Sequence, residues 1–162
     1  MDTARDLFEH ELRDIYDAEH KLERALESMA SKVTNTELAN GFKEHQSQTK
    51  GHIERLDKVF GIIDRAPRRE ACDGINGLIS EFSGFVKDES PSDPVLNLFA
   101  TAAAIKTEFY EINAYKSLIK LADHLGLSEA AELFEQNLKE EEETAQQLDA
   151  LSDKLGQEVP VG

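Results

Sequence analysis

The sequence predicts an all-α protein, an antiparallel bundle of four long helices, on three observations. Four segments carry apolar residues in steps of three and four, the period of one helical face. No segment shows the apolar-polar alternation of a strand, and a single glycine- and proline-punctuated stretch separates the second long segment from the third. With 162 residues and 40% hydrophobic content the chain is long enough for one domain, spanning 1–162, with a real core.

The first helix, about 3–33, carries Phe8, Leu12, Ile15, Leu22, Leu26, Met29 and Val33, which keep the period once position 19 is counted. Thr3 or Asp2 can cap its start, and Thr34-Asn35-Thr36 supplies a polar turn at its end. The second helix, about 37–65, reads Leu38, Phe42, Leu56, Val59 and Ile63, with positions 45, 49 and 52 filling the stripe. It ends before Arg65-Ala66-Pro67, because a residue preceding proline is driven out of the helical region. The short turn between the two makes them antiparallel neighbours.

Over 66–93 the pattern changes. Gly74, Gly77, Gly84, Ser90-Pro91 and Asp93-Pro94 punctuate Ile75, Leu78, Ile79, Phe82 and Val86, which reads as a long crossover carrying one short extra helix. Such a crossover starts the third helix at the end of the bundle opposite to where a tight turn would place it, which is ferritin-like topology. Asp93-Pro94 signals the start of that helix, about 94–125, with Asp93 expected to accept from the first turn and Pro94 needing no donor of its own. Its stripe reads Ala100, Ala104, Ala114, Leu118, Leu121 and Leu125, and Gly126 suits the left-handed residue that closes a helix. Ser128 is expected to cap the fourth helix, about 128–155, which carries Ala131, Phe134, Leu138, Ala145, Leu148, Leu151 and Leu155.

A net charge of −15 opposes nonspecific attraction to nucleic acid or an anionic membrane and favours cations, although acidity alone defines no metal site. Cys72 is the single cysteine, so no intrachain disulfide is available, and no run approaches the roughly 18 apolar residues of a membrane span. The N-terminus lacks the apolar run of a secretory signal, and a cytoplasmic location is the resulting expectation.

The informative positions are polar residues where the stripes require apolar ones: Glu19 in the first helix, His45 and His52 in the second, Glu108 and Glu111 in the third, and Glu141 in the fourth. A carboxylate in a bundle core is costly unless neutralised, paired or bound to a cation, and here all four helices carry an intrusion. Each intrusion falls near mid-helix, so antiparallel packing brings them to one level. Glu19 precedes His52 by 33 residues and Glu108 precedes Glu141 by the same interval, a weak internal repeat.

Oxygen ligands with one or two imidazoles suit iron or manganese, and carboxylates from facing helices can bridge a pair of ions. The competing expectation sets these carboxylates on helix flanks, paired with Lys106, Lys116, Lys139 or Arg55, and leaves the histidines at the boundary. In the run from Glu140 to Glu143 a helix turns only one or two side chains inward, and Glu141 is the one in register. The other glutamates of the run, with His10, His20 and His124, are expected to face solvent. The hydroxyls of Tyr16, Tyr110 and Tyr115 are expected at the packing boundary.

Several segments together resemble the YciE/YciF-type stress proteins, a ferritin-like family: Ile15 through Leu22, Phe42 with His45, Ile53 through Leu56, Cys72, Gly77-Leu78, Glu108 through Glu111 with Tyr115, Leu121-Ala122, and Leu138 with Glu140-Glu141. The resemblance covers nearly the whole chain. It implies a ferritin-like bundle, commonly a homodimer, with a di-metal carboxylate site and a link to stress response. The family's ligands fall on Glu19, His45, Glu108, Glu111 and Glu141, and His52 is a local addition. Gln48 stands where many relatives carry Glu, and Ala145 where an Asp commonly follows the fourth helix's glutamates.

The functional expectation is a redox metalloprotein holding at most two iron ions, or manganese, that oxidises Fe(II) or reacts with O₂ or peroxide. The alternative is a non-enzymatic bundle dimer that acts through protein contacts and keeps a degraded or empty site.

Overall fold

The computed structural model describes residues 1–162 and contains five helices and no strand: α1 (Ala4–Lys32), α2 (Thr36–Ile62), α3 (Asp73–Glu89), α4 (Asp93–His124) and α5 (Ser128–Gly156). The four long helices pack around one axis in the cyclic order α1, α2, α5, α4. Side-chain links fix their directions. Tyr16 donates to Asp57 and Lys50 pairs with Glu23, so α1 and α2 are antiparallel. Arg55 reaches Asn137 and Lys154 reaches Glu37, so α2 and α5 are antiparallel. Asn97 at the start of α4 contacts Thr34 at the end of α1, while Tyr115 contacts Glu19, so these two also oppose each other. It follows that α2 and α4 run in the same direction, which the crossover makes possible.

Local chemistry sets the helix ends. Thr3 and Asp6 form a reciprocal capping box at α1, and Asn35 caps α2 by accepting from Leu38 N. The turn between them is tied down from outside, since Asn97 Oδ1 accepts from the backbone N–H of Thr34 and Asn35 at 2.9 and 3.3 Å. Gly126 has φ +72, the left-handed geometry expected of it. Two expected caps differ. Ser128 is the first residue of α5, after Leu127, and makes no capping bond. Asp93 is likewise already helical, with Ser92 at the cap position and no side-chain bond there. In both cases the true cap position falls one residue earlier than the polar residue that suggested it.

The crossover helix is longer than the short helix expected, with 17 residues, and it packs on α1 and α4. Phe85 stacks on Phe99 with ring centroids 3.7 Å apart. The segment leading into it is fastened to α1 through Asp17, which accepts from Arg69 Nε at 2.8 Å and from the Cys72 backbone N–H at 2.9 Å and pairs with Lys21 at 2.5 Å. α4 is therefore covered on more than one side, and its buried residues extend beyond a single stripe.

The apolar core is split in two. At one end Phe8, Leu12, Leu56, Leu118 and Phe134 pack together, and at the other Leu26, Leu38, Phe42, Ala100 and Leu155 do so. The layer between them is polar.

Candidate metal centre

All six polar residues singled out by the stripes lie in that middle layer. Glu19 and His52 are 0% exposed, Glu141 0%, Glu108 and Glu111 1%, and His45 4%. They form two groups that share one member: His45, Glu108, Glu111 and Glu141, and Glu19, His52 and Glu141, each able to bring one donor atom per residue within 4.8 Å of the others. The four basic residues of the competing flank arrangement are engaged elsewhere. Lys106 pairs with Glu81, Lys116 with Glu142, Lys139 with Glu143 and Arg55 with Glu140.

Glu141 sits at the junction. Its Oε1 lies 3.0 Å from His52 Nδ1 and its Oε2 lies 3.6 Å from His45 Nε2. His45 Nε2 also faces Glu108 Oε1 at 3.2 Å, and His52 Nδ1 faces Glu19 Oε1 at 3.3 Å. The two imidazoles thus present opposite nitrogens to the centre, because their other nitrogens are held from outside. His52 Nε2 is 2.9 Å from Glu140 Oε2, and His45 Nδ1 is 3.3 Å from Gln48 Oε1. This orientation of a ring by its outer partner is how proteins aim imidazole ligands.

Behind Glu19 and His52 the bonds close into a ring. Tyr115 donates to Glu19, Asn137 Nδ2 donates to the Tyr115 hydroxyl at 2.9 Å, and Arg55 donates to Asn137 Oδ1 at 2.7 Å. Arg55 also holds both oxygens of Glu140, at 2.6 and 3.0 Å, and Glu140 holds His52. Glu140, expected in solvent, and the Tyr115 hydroxyl, expected at a boundary, both belong to this ring. Glu140 lies beside α2 at the edge of the core, half-buried by Arg55, and Tyr115 is fully buried. For the other two members of the ring the spacing holds a usable signal, because Arg55 follows His52 by three and Asn137 precedes Glu141 by four, on the same helix faces.

The electrostatics of the centre are unbalanced. Burial pushes Glu111 well above the usual carboxylate range, and Glu141, Glu19 and Glu108 push it further. Burial and Glu108 raise Glu141 to about 8 against the pull of both histidines. Burial alone would lower the histidines, but Glu108 and Glu141 carry His45 up to about 10, and Glu19, Glu140 and Glu141 carry His52 up to about 12. Glu140, bonded by His52 and Arg55, falls to about 2. Both oxygens of Glu111 and of Glu141, and Oε2 of Glu19 and Glu108, are buried without a hydrogen-bond partner. Native structures rarely leave so many acceptors in one place unmet.

Five helices and a buried layer of four carboxylates and two imidazoles define a helical protein built around a polyvalent acidic centre. The chain belongs to the family described as a domain of unknown function (DUF892), whose model matches residues 3–159. It is similar to protein YciF of Escherichia coli (strain K12), with 37% identity over 145 residues, covering 89% of this chain and 87% of that protein. The crystal structure of the E. coli stress protein YciF matches with a TM-score of 0.93 at 36% identity, covering 98% of this chain and 100% of that one. A second solved structure, YcfI from Rhodopseudomonas palustris, matches with a TM-score of 0.89 at 37% identity, covering 91% of this chain and 93% of that one. No helix is long and apolar enough to cross a membrane.

Proposed function

We propose that the chain is a ferritin-like four-helix bundle that binds a pair of divalent cations, iron or manganese, and uses them for redox chemistry on Fe(II), O₂ or peroxide in a stress response. The observation that carries this reading is Glu141, shared by two buried groups and facing one histidine with each oxygen, among carboxylate oxygens that no protein donor satisfies. Charge supports it. Without metal the centre reaches charge balance by keeping protons on Glu111 and Glu141 beside two charged imidazoles, whereas two divalent cations with two neutral imidazoles balance four ionised carboxylates.

Glu19 and His52 would hold one cation, His45, Glu108 and Glu111 the other, and Glu141 would bridge them. Such ions, when bound, supply one-electron chemistry that the side chains lack. The protein's residues do the rest. Glu140 and Gln48 orient the imidazoles, Tyr115 and Asn137 fix Glu19, and the apolar zone beyond Glu19 and His52 excludes bulk water from that side.

The test is metal analysis of protein purified without chelator, with Fe(II) and Mn(II) titrations and Fe(II) oxidation assays on stripped wild type and a Glu19→Ala, Glu141→Ala double variant. The expected result is two ions per chain for wild type and none for the double variant. Stripped wild type that takes up neither ion would overturn the reading.

A further inference from the structure

The two ends of the centre differ in access. The Glu19–His52 end is closed by the ring of Tyr115, Asn137, Arg55 and Glu140. The other end meets a cavity of about 500 Å³ between α2 and α5, and of the six central residues only His45 and Glu108 line it. A peroxide or O₂ molecule needs little more space than water, about 30 Å³ in the liquid. The cavity is an order of magnitude larger and falls within the roughly 300–1,000 Å³ of sites for small organic molecules.

Its lining sets the chemistry of a guest. Phe42, Leu148 and Leu151 give apolar surface, and Asn40, Gln48 and Thr144 give hydrogen-bonding groups. Gln48 accepts from Thr144 through Oε1, which leaves its amide N–H groups to donate to a guest. The acidic lining residues are Glu37, Glu44 and Glu108; Lys154 pairs with Glu37 at 3.2 Å and His45, charged in the metal-free protein, faces Glu108 at 3.2 Å, which leaves Glu44 without a cationic partner. An anion would meet uncompensated negative charge. Gly41 lies on the wall, and a Cβ there meets no atom within 4 Å, so the position accepts a side chain without a backbone clash.

We propose that the α2–α5 cavity binds a small organic molecule, neutral or cationic, with a hydrogen-bond acceptor of the guest facing the Gln48 amide at the His45–Glu108 edge of the centre. The site deepens the metal reading, on which it rests only for what the guest meets at its inner end.

The test is reversible disulfide capture on metal-stripped protein. Thr144→Cys in a Cys72→Ser background is equilibrated with 2-mercaptoethanol and three fragment disulfides, carrying an ammonium, a benzyl or a sulfonate group, and the adducts are read by intact mass. Ammonium and benzyl fragments are expected to be retained about tenfold or more over sulfonate, the scale of electrostatic focusing in a charged cleft. Their retention should fall in a Gly41→Phe variant to that of a surface control, Ser31→Cys. Equal retention at Thr144→Cys and the control, a preference for sulfonate, or indifference to Gly41→Phe would each overturn the proposal. Leu148→Cys, one turn along the same wall, repeats the measurement should Thr144→Cys not fold. Because no metal is present, failure here leaves the metal reading intact, and failure of the ion titration leaves the capture result intact.

Discussion

Replacing Glu111 with leucine should stabilise the metal-free protein while weakening its hold on cations. Glu111 is 1% exposed, both its oxygens lack a partner, and it lies among Glu141, Glu19 and Glu108. An unmet buried polar group costs about 1–3 kcal/mol, and exchanging buried ionisable groups for apolar residues of similar volume is often stabilising by about 1–4 kcal/mol. At about 2–4 °C per kcal/mol for a chain of this size, the melting temperature of the stripped Glu111→Leu protein should rise by roughly 2–16 °C. The sign of the pH effect follows from the raised Glu111 value. The folded protein keeps a proton that the unfolded chain releases above about pH 4.5, so the wild type loses stability as pH rises, and the advantage of the variant widens. Saturating cation should reverse the order, since ligand binding to the native state adds about 2.7 kcal/mol per site at a hundredfold excess over Kd, and the variant has lost a ligand. Urea and thermal melts of EDTA-dialysed protein, with and without Mn(II), measure all three effects. A stripped Glu111→Leu protein less stable than wild type by 1 kcal/mol or more would refute the reasoning, because Glu111 would then be a structural group.

The stabilisation given by cation should grow between about pH 5 and 8, because binding must displace protons that Glu141 holds up to about 8 and His45 up to about 10; a pH-independent melting shift would contradict this. Glu140→Gln, which weakens the outer acceptor of His52 and leaves Arg55 unpaired, should lower cation affinity by about 10–100-fold in chelator competition. Tyr115→Phe removes the donor to Glu19 and the acceptor for Asn137, so it should destabilise the stripped protein by about 1–3 kcal/mol in urea melts, opposite in sign to Glu111→Leu. Asn97→Ala unties the turn between α1 and α2 at a similar cost of about 1–3 kcal/mol, yet ion stoichiometry in a titration should not change, because Asn97 lies at the far end of the core from the centre.

The convergence of the six polar residues was legible because each breaks an otherwise regular apolar stripe, and a break in a stripe points inward whatever its neighbours do. Glu140 was not legible on that basis. In a run of four identical residues the stripe identifies the one in register, Glu141, but not which neighbour lies against an adjacent helix. Only the placement of α2 beside α5 turns Glu140 toward His52 and Arg55. Tyr115 illustrates a different limit, since a buried tyrosine reads as packing until the partner of its hydroxyl is known. The caps expected at Asp93 and Ser128 failed by one residue, where helix boundaries are always softest.

Gln48 and Ala145, where the resemblance implies acidic residues, acquire a physical meaning once the two ends of the centre are compared. His52 is backed by an ionised Glu140 that Arg55 fixes in place, a partner that raises the electron density of the imidazole and locks its orientation. His45 is backed by the neutral amide of Gln48, at a longer distance, beside the cavity. A carboxylate at position 48 would add a further charge at the open end, with no Arg55 equivalent to compensate it; glutamine keeps the orienting acceptor and adds two donors facing a space that a guest can enter. Ala145, 7% exposed one residue after Thr144, leaves α5 without an additional acid at that level. On the proposed metal reading, Gln48 and Ala145 act in one direction: the cation position at Glu19 and His52 would be tightly held, and the one at His45 would be less charged and more accessible.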